Sequence, residues 1–108
     1  MTGAAAKNTV TLGRAWDTTT GAPGGTEQTT AQNAMAPTAL TVAAGTSVTF
    51  TNPAGNAHSH GAVSFFDYEF DSGTLVPGKS FTHRFRKPGQ YYYNDPVFPQ
   101  NTGLIIVT

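Results

Sequence analysis

Apolar and polar residues alternate over short runs of this chain, and no window carries the three-to-four-residue period of a helix. Residues 9–16 set Val10 and Leu12 between threonines, which predicts a first strand. Residues 39–42 and 47–51 alternate in the same way around Gly45 and predict a hairpin turned at that glycine. Residues 58–65 predict a strand bent at Gly61, and residues 79–86 another, entered through Pro77 and Gly78. Pro88 and Gly89 turn the chain into the aromatic run Tyr91, Tyr92 and Tyr93, and the apolar segment 104–107 closes it. Residues 17–37 are rich in Thr, Gly, Ala, Gln and Pro and show no period. They predict a long exposed insertion, with a short turn near 32–35. Residues 1–8 predict a flexible tail. The sum is one all-β domain over 9–108, a Greek-key β-sandwich or barrel of about eight strands.

Composition narrows what such a domain does. The 108 residues suit a single domain, and the expected state is a monomer. Charged residues make up 11% and the formal net charge is zero, so the basic footprint of a nucleic-acid binder is missing. No apolar run reaches membrane-spanning length. Cysteine is absent, which excludes disulfides, thiolate metal sites and thiol catalysis. The first residues lack the apolar core of a signal peptide, yet the Thr-, Gly-, Ala-, Asn- and Pro-rich composition suits an exported β-protein, periplasmic or extracellular. With no nucleophile, phosphate-loop or zincin motif, an enzyme is not expected.

Two motifs carry a family resemblance. Leu40, Val42, Gly45, Val48, Phe50 and Asn52 form one; Pro77, Gly78, Phe81, Phe85, Pro88, Gly89, Tyr91 and Tyr93 form the other. Together they resemble the plastocyanin- and amicyanin-like cupredoxins over about residues 9–108, apart from the insertion at 17–37. The resemblance implies a copper site at one end of the sandwich. Its first His ligand falls on His58, six residues after Asn52. Its Cys, second His and Met positions fall on Asp95, Phe98 and Asn101 before the closing Gly103. The loop length is kept while three ligand types are replaced. A type 1 centre needs a thiolate, so electron transfer through blue copper is excluded.

Candidate chemistry therefore rests on the three histidines. His58 and His60 are two apart, so on a strand they share a face. His83 shares a face with Phe81 and Phe85. One expectation is a non-blue Cu(II) or Zn(II) site of His58 and His60 with His83 or Asp95. The other is that His60 and His83 bond each other, a carbonyl or a tyrosine, His58 stands exposed, and Asp95 serves only the turn of residues 94–96. Asp67, Glu69 and Asp71 read as a solvated strand face, with Arg84 and Arg86 as candidate ion-pair partners. Phe98 either extends a partner-docking surface at the copper end or folds down over the space of the metal. The two functional readings are a cupredoxin-fold domain binding copper or zinc through a His cluster, and a metal-free structural or partner-binding domain accessory to a larger secreted protein.

Overall fold

A computed structural model describes residues 7–30, 34–66 and 68–108, and within them the regular structure is strand. The strands are β1 (Thr9–Leu12), β2 (Arg14–Asp17), β3 (Ala22–Glu27), β4 (Met35–Ala36), β5 (Ala39–Val42), β6 (Thr46–Thr51), β7 (Val63–Ser64), β8 (Ser80–Phe85), β9 (Gly89–Asn94) and β10 (Thr102–Val107). One sheet has the order β4-β1-β6-β8, a second β5-β10-β9-β7, and β2 with β3 forms a separate two-stranded ribbon. Two facing four-stranded sheets make the expected sandwich.

The period-two pattern works as its physics requires. In β10, Gly103, Ile105 and Val107 are buried and their neighbours are not. Val10, Leu12, Val48, Phe50 and Phe85 line the inner face of the first sheet; Val42, Tyr91, Tyr93, Ile105 and Val107 line that of the second. Phe70, from the connection before β8, fills the space between, stacked on Phe50 at 5.0 Å. Phe50 meets Tyr93 edge-on at 5.3 Å.

Four expectations change. Residues 39–51 are not a hairpin: β5 pairs with β10 and β6 with β1 and β8, in opposite sheets. Gly45, at φ 93°, turns the chain across the sandwich, so that Val42 and Val48 bury themselves from opposite sides. The first strand stops at Leu12, because Gly13 at φ 71° redirects the chain into β2. The segment 17–37 is not loop throughout. It holds β3, paired antiparallel with β2, and β4, paired with β1. Ala-Pro-Gly-Gly-Thr-Glu shows no alternation because the ribbon it builds has little core face to bury. Of the turn expected near 32–35, residues 32 and 33 lie outside the described residues, as do 1–6 of the tail and Asp67. The strand expected over 58–65 shrinks to a His60–Leu75 bridge and the short β7.

Candidate metal centre

At the end of the sandwich where β1 breaks, three segments converge: the end of β3, the connection after β6, and the loop after β9. Asp95 follows β9 and is fully buried. Its Oδ1 accepts the Val97 and Phe98 amides (2.9 and 3.3 Å), which shapes the loop, and its Oδ2 accepts His60 Nδ1–H at 2.6 Å. His60 is also fully buried, and its Nε2–H donates to Glu27 Oε2 at 2.7 Å. With both carboxylates ionised they can only accept, so each ring nitrogen of His60 then carries a hydrogen and the ring is an imidazolium between two anions. Burial works against that charge, but the hydrogen bonds and charges of Asp95 and Glu27 outweigh it and raise the His60 pKa.

Glu27 is the hub. Burial pushes its carboxyl up, yet hydrogen bonds from His60, the Ala57 amide and His58, with the charge of His58, bring it down to about 2. Ala57 N–H donates to Oε1 at 2.7 Å, and His58 Nδ1 meets the same oxygen at 3.2 Å. The His58 side chain is 56% exposed. An amide relay holds this geometry. Arg14 Nε donates to Asn56 Oδ1 (2.6 Å) and Nη1 to Gly24 O (3.0 Å), tying the ribbon to the loop. Asn56 donates to Asn52 Oδ1 (2.9 Å), and Asn52 to His58 O (3.0 Å) and Leu75 O (2.8 Å).

The structure thus groups His58, His60 and Asp95 and separates His83 from them. His83, on β8, bonds Glu69 at 2.9 Å and packs edge-on against Phe85 at 4.8 Å. The pairing expected between His60 and His83 is replaced by a carboxylate partner for each. The expected acidic face is dispersed as well: Glu69 takes His83, Asp71 accepts the Gly73 amide of its own turn, and Arg84 donates to Gly45 O. Sequence reasoning missed Glu27. It lies in the patternless insertion, and its one signal was to be an isolated acid among Thr, Gly and Ala.

A type 1 copper ion does not fit these residues. Asp95 offers no thiolate and its oxygens are spent on three hydrogen bonds. Phe98 offers only carbon, its ring lying 5.2 Å from His60 and 5.5 Å from His58. Asn101, fully buried, donates to Gln28 O at 3.2 Å. As the side chains stand, no three His, Cys, Asp or Glu groups among the described residues are arranged around one metal ion. Glu27, His58 and His60 are the donors nearest to such an arrangement, joined through the two oxygens of one carboxylate.

No protein-family model and no curated protein matches the sequence. Solved structures do. A purple cupredoxin from Nitrosopumilus maritimus superposes with a TM-score of 0.69 at 24% identity, covering 93% of this chain and 98% of that one. A copper-containing nitrite reductase from Thermus scotoductus SA-01 gives 0.61 at 27% identity over 68% of this chain, which spans only 20% of the enzyme. A reduced mutant of amicyanin gives 0.60 at 20% identity, covering 66% and 70%. With these neighbours and its paired four-stranded sheets, the chain has the cupredoxin fold, and with no cysteine it has no type 1 copper centre.

Proposed function

We propose that this domain is a binding module that holds a divalent metal ion, Cu(II) or Zn(II), at the copper end of the sandwich and carries no electrons. The observation behind this reading is the Asp95–His60–Glu27 arrangement, with His58 beside the Ala57 amide on the other oxygen of Glu27. Metal-binding imidazoles commonly donate their second ring N–H to a carboxylate, which fixes the ring and raises its basicity. Asp95 stands in that relation to His60. Charge points the same way. With a proton on His60, the two carboxylates leave this largely buried cluster with one net negative charge, and buried net charge is costly. A divalent ion on a neutral imidazole would neutralise it.

The test is metal analysis of protein purified without chelators, then thermal melts with added Cu(II) or Zn(II) and EPR of the copper form. The expected result is a raised melting temperature and nitrogen hyperfine structure without the intense blue absorption of a thiolate. No shift with either ion overturns the reading. The second reading, a metal-free partner-binding domain, draws on a different observation: both ring nitrogens of His60 are already satisfied, and the Phe98 ring packs against both imidazoles. A flat melting response with no bound metal would favour it. In either reading we place the domain outside the cytoplasm, on its composition, with the Phe98 end as its contact surface.

A further inference from the structure

Resting on that reading, we infer that Glu27 is a metal ligand supplied by the β2–β3 ribbon, that it completes a set with His58 and His60, and that the bound ion clamps the ribbon to the sandwich. The ribbon is hydrogen-bonded into neither main sheet. An isolated two-stranded ribbon is marginal in water. Its backbone is anchored near its base, by Gln28 N–H to Gly13 O (2.7 Å) and Arg14 N–H to Ala34 O (3.1 Å). Beyond that, Arg14 Nε holds Asn56 Oδ1 (2.6 Å) and the Glu27 carboxylate grips the 57–60 segment, taking the Ala57 and His58 amides and both imidazoles.

Glu27 and Asp95 differ in what they can offer. Both carboxylates are fully hydrogen-bonded, but Asp95 is completely buried and holds His60 at Nδ1, the nitrogen away from Glu27, so it is a positioning residue. Glu27 has 14% of its side chain exposed and lies next to the exposed His58. An ion entering between His60 Nε2 and Glu27 Oε2 replaces the hydrogen of that bond. The 2.7 Å contact must open to about 3.0 Å for ligands at right angles, or about 3.4 Å for tetrahedral ones, to admit metal–ligand bonds of about 2.0–2.2 Å. His58 Nδ1, already 3.2 Å from the other oxygen, swings in from solvent. Two imidazoles and one carboxylate suit Zn(II) and Cu(II), not the all-oxygen shells of Ca(II) or Mg(II).

The experiment is Zn(II) and Cu(II) calorimetry on the full chain and on Glu27→Gln, His58→Gln, Asp95→Asn and His83→Ala, with limited proteolysis at the exposed ribbon turn, residues 18–20. Glu27→Gln and His58→Gln should each weaken binding at least tenfold. Asp95→Asn should weaken it about 10- to 100-fold and alter the Cu(II) EPR spectrum. His83→Ala should bind as the parent does. Zn(II) should slow cleavage of the ribbon in the parent and not in Glu27→Gln. His58 is exposed, so its variant remains informative if Glu27→Gln fails to fold. Parent binding with undiminished affinity in Glu27→Gln, or in His58→Gln, overturns this inference and leaves the proposed function standing. No metal binding by the parent overturns both.

Discussion

Gly13 is the residue on which the buried imidazole depends. Its φ of 71° lies where an L side chain is strained, and a Cβ there would stand 2.6 Å from Cε1 and Nε2 of His60. Asp95 and Glu27 hold His60 from both sides, so moving it aside for a Cβ stretches both contacts. Gly21 is the natural control: φ is 69°, with nothing within 4 Å of its would-be Cβ. Gly21→Ala should cost about 1 kcal/mol of stability from backbone strain alone. Gly13→Ala should cost about 1–3 kcal/mol more, by overpacking against His60. Urea denaturation of the two variants checks this, and equal losses would show that His60 moves aside freely. At this scale the sequence was partly legible. Counting from Gly89 placed Asp95, Phe98 and Asn101 in the copper-end loop, and the absence of cysteine settled the thiolate. Counting from Asn52 pointed to His58, whereas the buried ring bonded to Asp95 is His60. The 52–60 segment is a loop rather than a strand, so residue spacing there does not fix which side chain turns inward.

Among the elements, β9 and β10 form the longest ladder of the second sheet, and they meet at an unusually tight pair. Tyr93 lies opposite Gly103, fully buried, and its ring fills the place where a side chain on Gly103 would stand. Its hydroxyl has no hydrogen-bond partner among the described residues, and burial pushes its pKa upward. Its ring is well used, against Phe50 at 5.3 Å and Phe70 at 5.8 Å. Tyr93→Phe keeps the ring and removes an unpaired polar group, so it should stabilise the fold by about 1 kcal/mol. Thermal and chemical denaturation report this directly; a loss of stability would mean that the hydroxyl is paired. Strands such as β9 and β10 were legible because period two with large apolar residues states which face is buried. The pattern does not state which sheet a strand joins, so β5 and β6 read as a hairpin. It is silent where no face is buried, and so β3, with Glu27 at its end, stayed invisible.

For the whole molecule, the Asp95–His60–Glu27 cluster makes apo-state stability depend on pH from both sides. His60 has a folded-state pKa raised above the ordinary 6.5. Its contribution is fully present below the unfolded value and is lost as pH rises through the folded one. Glu27 is shifted the other way, from 4.5 down to about 2. Its contribution is present above the unfolded value and is lost as pH falls toward about 2. Metal-free protein should therefore be most stable in the mildly acidic window between the two unfolded values, with a fall on each side. His60→Gln separates the limbs. A side chain that is neutral at every pH removes the alkaline fall, and it shrinks the acid fall, since the hydrogen bond from His60 does most to hold Glu27 ionised. Urea midpoints followed from acid to alkaline pH in the presence of chelator, for the parent and this variant, make the comparison. A parent curve that stays level from neutral to alkaline pH would mean that His60 holds no second proton in the folded chain. The three-segment junction would then be joined by neutral hydrogen bonds, and the charge argument for a divalent ion would have to be recast with one of the carboxylates protonated.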